Sequence, residues 1–347
     1  MSLRVCLITA LLLQFAPVGL AQLTVIPTPL SIPDNLSMVQ IPPFATLADP
    51  QCDSDGTVYL RQEAADDSSW ELTKVSLDGE TQQTSLSAVP GFGDTHSFVM
   101  AVSGGGSVHE IVRAWGDGRD GNDSSIYYLQ FDADGSFRSR QHLGQEFIPA
   151  SLVPLPTGNF FAAGVVVKKE PGMEDVEEVP LAGIFDSEAR LLRELGKSSP
   201  KLHRISTSNS GDAADTADAL QQGGTPRLGD DGDLYVLLNS STTKVRVFRQ
   251  SGEFRREMLL QQPFQEGLAT GLWVSSGRML VSYEGEADDP KDAVTYILYD
   301  ANTGELIRAY RPQFTGTIAC FQDGQNLTVL VKEKRSGTVK IGSVQLQ

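Results

Sequence analysis

Two interleaved series of short polar turns recur along this chain of 347 residues, and they constrain its fold more than any other feature. The turns of the first series lie at Asp55-Gly56, Gly104-Gly105, Thr157-Gly158, Asp231-Gly232, Ser276-Gly277 and Asp323-Gly324. Those of the second series lie at Asp78-Gly79, Asp134-Gly135, Ser251-Gly252 and Thr303-Gly304, and Asp186-Ser187-Glu188 takes the corresponding place in the third unit. Glycine adopts positive φ at little steric cost, so such turns favour tight β-hairpins.

Strand-like runs such as 234–238 and 244–248 flank these turns. Two alternating hairpins give each unit four antiparallel strands, which is one blade of a β-propeller. The glycine at the second position of each turn in the first series follows the previous one by 49, 53, 74, 45 and 47 residues. This is a regular period with one long exception. A parallel solenoid has shorter repeats, and a sandwich does not repeat its own pattern six times. The sequence therefore predicts an all-β, six-bladed propeller. A seventh blade stays an alternative if the long connection 196–224 contains strands.

Part of the repeat also resembles a known family. Residues 230–239 (DDGDLYVLLN) and 244–254 (KVRVFRQSGEF) are similar to the repeat of six-bladed propellers of the NHL/TolB-like type. The resemblance implies the fold but no single activity, because related propellers have many functions. Some of them are lactonases and lyases that hold calcium with acidic, Asn and His ligands at the channel mouth. The resemblance thus implies a calcium-assisted hydrolase or lyase as an alternative function, although no such ligand set is matched here residue by residue.

The N-terminus has the features of an export signal. Arg4 supplies a basic start, 5–15 is a mostly apolar run, and Gly19-Leu20-Ala21 places small residues at a cleavage site. The run is shorter than the roughly 20 apolar residues that cross a bilayer. We therefore predict a signal peptide over 1–21, a tail over 22–35, a single propeller domain over 36–347, and a secreted or periplasmic location.

The sixth unit has strand candidates only at 317–321, 327–331 and 339–345, so it lacks a fourth strand. An orphan β-like segment at 36–41 precedes the first unit. We predict that it becomes the outer strand of the last blade, since closure removes an exposed strand edge. The segment 23–26 is the competing candidate.

The two cysteines of the mature chain occupy equivalent places in the first and last units. Cys52 lies four residues before Gly56, and Cys320 lies four before Gly324. Ring closure would bring these units together, which makes the pair a disulfide candidate in an exported protein. Two buried free thiols remain the alternative, because inner strands of adjacent blades can stand further apart than the roughly 4.4–6.8 Å between Cα atoms that a disulfide needs.

Tight turns occupy one face of a propeller, and the connections between blades and between second and third strands occupy the other. We call these the tight-turn face and the long-loop face. The long-loop face is predicted to carry the segments 63–69, 116–125, 168–178, 196–224 and 284–292. Four of the five are acidic. Long loops on a rigid scaffold concentrate binding residues, although solvation alone also explains acidic loops.

Specific residues on these loops are candidates for ligand binding. They are Asp117, Asp120, Asp123, His203, Asp288, Asp289 and Asp292. Three of them, Asp117, Asp120 and Asp123, supply the hard oxygen donors that calcium prefers, but without the spacing of an EF-hand. Calcium is thus the one cofactor for which the sequence offers ligands. The net charge of −16 argues against nucleic acid and anionic membranes as partners.

Signatures of catalysis are absent from the sequence. The chain has neither a Gly-x-Ser-x-Gly elbow nor a His-Glu-x-x-His motif, and its four histidines lack paired metal-ligand spacing. Trp273 lies on a predicted inner strand and is interpreted as core rather than as a platform for a sugar ring. We therefore predict a monomeric, non-catalytic binding or scaffold propeller that recognises a protein or a small ligand. A structural component of an envelope assembly is a further alternative.

Overall fold

The computed structural model describes residues 26–32, 37–40, 44–47, 50–64, 70–84, 86, 89–116, 124–143, 147–169, 176–195, 225–238, 242–262, 268–285, 294–332 and 338–347. These residues form twenty-six strands in six sheets, and none of them is helical. The predicted all-β, six-bladed propeller is confirmed. No helix able to span a membrane occurs in the part of the chain that the structure describes.

Two short strands come before the blades, and each of the first three blades then follows in chain order from its inner to its outer strand. The early strands are β1 (Thr28–Leu30) and β2 (Ser37–Gln40). Blade one contains β3 (Phe44–Leu47), β4 (Gln51–Cys52), β5 (Val58–Ala64), β6 (Trp70–Val75) and β7 (Thr81–Thr84). Blade two contains β8 (Phe92–Val102), β9 (Val108–Gly116), β10 (Ser124–Phe131) and β11 (Phe137–His142). Blade three contains β12 (Phe147–Pro154), β13 (Phe160–Lys169), β14 (Val176–Phe185) and β15 (Leu191–Glu194).

The last three blades have the same order. Blade four contains β16 (Pro226–Leu228), β17 (Leu234–Leu238), β18 (Lys244–Phe248) and β19 (Phe254–Leu259). Blade five contains β20 (Leu268–Ser275), β21 (Arg278–Glu284), β22 (Val294–Asp300) and β23 (Leu306–Pro312). Blade six contains β24 (Thr317–Gln322), β25 (Asn326–Lys332) and β26 (Thr338–Gln345). The inner strands β4, β8, β12, β16, β20 and β24 each contact the next around the ring, and β24 contacts β4.

The early strands pair with the last two blades. Strand β2 pairs antiparallel with β26 and is the outer strand of blade six, the place predicted for 36–41. Strand β1 pairs in parallel with β23 and extends blade five, so the segment predicted as a tail contains a strand. The Gln313 amide donates to the Leu30 carbonyl at 2.8 Å, and the Leu30 side chain is buried. Both additions cover a sheet edge that would otherwise be open to pairing with other chains.

Apolar side chains form six separate clusters, and each cluster lies between two neighbouring blades. Successive side chains of a strand point to opposite faces of its sheet, and every blade has a neighbour on each face. Central strands are therefore buried on both sides, as in β17, where all five residues are buried. We call the contact between two adjacent blades a seam. Stability of the ring is distributed over these six seams.

The turn series adopts the predicted hairpin geometry, with two local differences. In the third unit, Ala189 takes positive φ (61°), and its amide donates to the Asp186 carbonyl at 2.9 Å, the role that glycine has in the other units. In the second blade, Gly106 rather than Gly104 or Gly105 takes positive φ. At Ala189, the turn hydrogen bond thus holds an L-residue in the positive-φ conformation that normally favours glycine.

Candidate functional site

The centre of the ring contains a channel with one cavity toward each face. The cavity near the tight-turn face has a volume of about 390 Å³ and is lined by residues of all six blades. The cavity near the long-loop face has a volume of about 250 Å³ and lies beside blades four, five and six. Pro50, Arg227 and Trp273 line both cavities. The two spaces therefore meet at these three side chains.

A β-bulge in the inner strand of blade five shapes the cavity near the long-loop face. The register of β20 against β21 shifts between Ala269 and Gly271, so Thr270 has no direct partner in the ladder. Shifts at corresponding places occur in β8, β12 and β24, so the bulge belongs to the blade repeat, and it redirects side chains locally. Thr270 is exposed, and its Oγ1 lies 3.0 Å from Oγ of the buried Ser282 on the neighbouring strand. The bulge thereby brings two hydroxyl groups together at the cavity wall.

Trp273 lies half-buried in the channel, with its indole against Gly271. A Cβ atom added to Gly271 would come within 2.6 Å of the Cη2 atom of Trp273, so the absence of a side chain there makes room for the ring. The Tyr296 ring packs against the indole at a centroid distance of 6.5 Å and an angle of 73°. Edge-to-face geometry of this kind is favourable for aromatic pairs. The orientation of the indole is therefore fixed by contacts on two sides.

The polar groups at the same cavity carry both signs of charge. Glu284 and Arg227 line it together with the hydroxyls of Thr225, Thr270, Ser282 and Thr317. Arg227 is half-buried, and its Nη1 donates to the Pro226 carbonyl at 3.3 Å. Burial, with a smaller contribution from the Glu284 carboxylate, raises the pKa of Tyr296 to about 12. The phenol therefore stays protonated at neutral pH.

The cavity near the tight-turn face is lined by carboxylates that hold the hairpins. Asp53 accepts hydrogen bonds from the amides of Asp55 (3.0 Å) and Thr57 (2.9 Å) through Oδ1, and from the Tyr59 hydroxyl (3.0 Å) through Oδ2. Asp230 accepts from the Ser275 hydroxyl at 3.0 Å and the Ser276 amide at 2.7 Å, which ties blade four to blade five. These carboxylates have structural partners, so the cavity near the long-loop face is the better candidate site.

The sequence-predicted site residues lie outside the described part of the chain. These residues are Asp117, Asp120, Asp123, His203, Asp288, Asp289 and Asp292. The strands that flank three of them are described: β21 ends at Glu284, β22 begins at Val294, and both of these residues line the cavity. The chain therefore enters and leaves the segment 286–293 at the candidate site. Among the described residues, no three His, Cys, Asp or Glu side chains form a group that could hold a metal.

Cys52 and Cys320 are joined in a disulfide, with their Cα atoms 5.7 Å apart. The bond links the inner strands of blades one and six and lies beside the cavity near the tight-turn face. The separation that sequence reasoning treated as an obstacle is therefore within the usual range for a disulfide. Ring closure, rather than distance along the sequence, brings the two residues together.

Sequence reasoning singled out Trp273 but missed the other described residues of the cavity. Trp273 packs beside the blade five–six core, as the interpretation of this residue as core implies, but it also lines the channel. Thr270, Ser282 and Arg227 have no sequence signal, because their position depends on the bulge and on the ring. Sequence reasoning drew nothing from the glycine two residues before Trp273, whose contact with the indole is seen only in the structure.

No protein-family model matches this chain, and no curated protein matches it. Several solved structures are similar in fold. A protein of unknown function from Dyadobacter fermentans is 10% identical with a TM-score of 0.49, over 89% of this chain and 98% of that one. The β-propeller domain of Cps50 (Swd1) from Myceliophteria thermophila is 11% identical with a TM-score of 0.47, over 91% and 100%. The propeller domain of the Trilobed protease from Pyrococcus furiosus is 14% identical with a TM-score of 0.41, over 85% and 79%. The chain itself is a six-bladed β-propeller by the order of its own sheets.

Proposed function

We propose that this protein is an exported, non-catalytic binding propeller that recognises a ligand through its long-loop face. The ligand is a small molecule. The alternative partner is a protein that inserts one of its own chemical groups into the same cavity. The observation that carries the proposal is the cavity of about 250 Å³ at that end of the channel, where a fixed indole meets several hydroxyls and one charge of each sign. Ligand sites typically combine an apolar wall with a few placed polar groups in this way.

Two features of the sequence support the same function. The export signal predicted over 1–21 supports a secreted or periplasmic location, and the acidic segment 286–293 joins the two strands whose ends line the cavity. Catalytic motifs are absent from the sequence, which favours binding over chemistry. Loops on a rigid scaffold concentrate binding residues, and the six seams provide that scaffold.

The experiment is a thermal-unfolding screen of the mature domain 22–347 against separate classes of small molecules. The classes are amino acids, simple carboxylates, nucleosides, saccharides, and calcium with and without excess chelator. A ligand present at 100 times its Kd stabilises the folded state by about 2.7 kcal/mol. We expect at least one class to raise the unfolding temperature of the wild type. Failure of every class would contradict binding of a small ligand, and a response to calcium alone would favour the calcium-assisted hydrolase or lyase.

Two variants of equal size test the position of the site. Trp273→Phe removes part of the indole wall, whereas Trp115→Phe changes a half-buried tryptophan of blade two that does not line either cavity. The stabilisation by ligand should decrease in the first variant and persist in the second. Equal stabilisation by ligand in the two variants would show that the site does not include Trp273.

A matched pair of charge variants tests the acidic segment. The triple variant Asp288→Asn, Asp289→Asn and Asp292→Asn removes three charges from it. The control Glu80→Gln, Glu253→Gln and Glu305→Gln removes three exposed charges that each follow a turn glycine on the tight-turn face. We expect binding to weaken only in the first triple variant. Unchanged binding would limit the site to the described cavity.

A further inference from the structure

We infer that the ligand of the cavity near the long-loop face is a saccharide unit, a polyhydroxylated ring whose apolar face lies on Trp273. The inference rests on the proposed function and names its ligand class. It concerns the described residues of blades four, five and six alone.

The indole of Trp273 has the properties of a stacking platform. It remains half-buried in the channel, while Tyr296 beside it is only 5% exposed. The close approach to Gly271 and the edge-to-face contact with Tyr296 fix the ring, so little rotamer entropy is lost when a ligand lies against it. The axial C–H groups of a pyranose ring make an apolar face that packs on such an indole.

The polar groups around this platform match a ring that carries many hydroxyls. Thr225, Thr270, Ser282 and Thr317 supply four hydroxyls, and each hydroxyl both donates and accepts. Glu284 accepts from two neighbouring ligand hydroxyls, and Arg227 donates to ligand oxygens. A purely apolar ligand would make no hydrogen bonds to this set, whereas a polyhydroxylated ring can bond to several of its members. A ligand with several negative charges would be repelled by Glu284 and by the net charge of −16.

The size of the cavity fits one or two sugar rings. Its volume of about 250 Å³ lies below the roughly 300–1,000 Å³ of sites for drug-sized ligands. A larger ligand would extend past the cavity toward the long-loop face. We therefore expect a monosaccharide, or the terminal unit of a longer glycan, to occupy the described space.

The experiment is saturation-transfer NMR on the mature domain with named probes. The probes are the methyl glycosides of glucose, galactose, mannose and N-acetylglucosamine, and the disaccharide maltose. For at least one probe we expect transfer to the C–H protons of one ring face. Thr270→Val keeps the shape of the side chain but removes its hydroxyl, and should lower the affinity by about twofold to tenfold. Trp273→Phe should reduce transfer to the ring protons, while Trp115→Phe should match the wild type.

The outcomes separate this inference from the proposed function. Absence of transfer to every probe overturns the saccharide, and the proposed function survives if another class of molecule stabilises the domain in the thermal screen. Binding that is unaffected by both Thr270→Val and Trp273→Phe overturns the position of the site. The exposed Thr270 position keeps the test valid if Trp273→Phe does not fold, because it lies outside the apolar clusters. If maltose binds more weakly than the monosaccharides, the terminal unit of a longer glycan is excluded as the ligand, and a free monosaccharide remains.

Discussion

The seam between blades six and one differs in its chemistry from the seam between blades one and two. The first contains the disulfide between Cys52 and Cys320, and the Gln322 side chain donates to the Ser54 carbonyl at 3.3 Å. The second contains an ion pair, in which Nε of Arg61 lies 3.8 Å from Oε1 of Glu110, with both residues buried. Both seams have an apolar cluster, but one also contains a covalent bond and the other a pair of buried charges.

The difference follows from how the chain connects the blades. Blades one and two follow each other directly in sequence, so a crosslink between them would close only a short loop. Cys52 and Cys320 are 268 residues apart, and a crosslink over that distance restricts the unfolded chain strongly. The buried ion pair contributes little net stability when intact, but loss of one partner leaves the other uncompensated. Loss of the disulfide is therefore expected to free the unfolded chain, whereas loss of Arg61 is expected to leave a buried charge in the folded protein.

The largest expected effect comes from breaking the charge pair with Arg61→Met. This change should cost about 3–5 kcal/mol at neutral pH, because the Glu110 carboxylate stays buried without its cation. Burial raises the pKa of Glu110, and Arg61 and the Ser97 hydroxyl oppose that shift. A folded pKa above the unfolded value gives stability that is present at low pH and is lost as pH rises through the folded pKa. Removal of Arg61 raises this pKa further, so the deficit should be smaller at pH 5 than at pH 7.

Urea unfolding at both pH values checks this prediction. The control is Arg249→Met, which removes an exposed arginine that pairs with Glu253 on the surface. Surface changes of this kind are usually within about 0.5 kcal/mol. Equal deficits for the two variants would show that burial of the pair is irrelevant.

The next effect comes from opening the covalent seam. Replacement of both Cys52 and Cys320 by Ala should cost about 2–4 kcal/mol. Reduction of the wild type with dithiothreitol should produce the same loss, while the double variant should not respond to reductant. A thiol titration of the unfolded, unreduced domain 22–347, which lacks Cys6, provides the direct measurement. Two free thiols in that titration would contradict the disulfide.

The smallest expected effect is on the pH dependence of stability, and it concerns His109 at the seam between blades two and three. Burial, with a smaller effect of Arg138, lowers the pKa of His109 to about 4, and its Nδ1 lies 2.6 Å from the Tyr128 hydroxyl. Because the folded pKa is below the ordinary value near 6.5, the unfolded state binds a proton first as pH falls. Stability should therefore decrease between pH 6.5 and pH 4, by up to about 3 kcal/mol.

His109→Gln keeps a hydrogen-bonding group next to Tyr128 and removes the titration. Stability measured by denaturant unfolding should then depend less on pH in this range. His142→Gln changes an exposed histidine of the same blade and is the control. An unchanged pH dependence in His109→Gln would show that the acid sensitivity has another source.

The sequence predicted the repeat well because blade geometry is local. Each hairpin turn depends on a few residues, such as Asp231-Gly232, and the flanking strands depend on alternation within five to eight residues. The same locality explains the two small misplacements. Ala189 carries the positive φ of the third unit, and Gly106 carries it in the second blade, because turn hydrogen bonds decide which residue of a short polar run bends.

The candidate site was predicted only in part because it is a property of the ring. Sequence reasoning selected charged loops, which include Asp288, Asp289 and Asp292, but the cavity is lined by side chains from the inner parts of three blades and by Pro50. Arg227 and Thr317 share one wall, although ninety residues separate them. No period or spacing in the sequence encodes that proximity.

The sequence by itself determined the fold class, most of the turn positions and the two cysteines as a candidate pair, because these follow from repetition and short-range backbone preferences. It predicted six blades but left a seventh open. Only the tertiary structure decided which side chains face the channel, where Thr28–Leu30 attaches, and how each seam is held. Those features depend on contacts between strands and between sheets, such as the close approach of the Trp273 ring to Gly271. Side-chain packing across seams is a long-range property, and a one-dimensional pattern does not contain it.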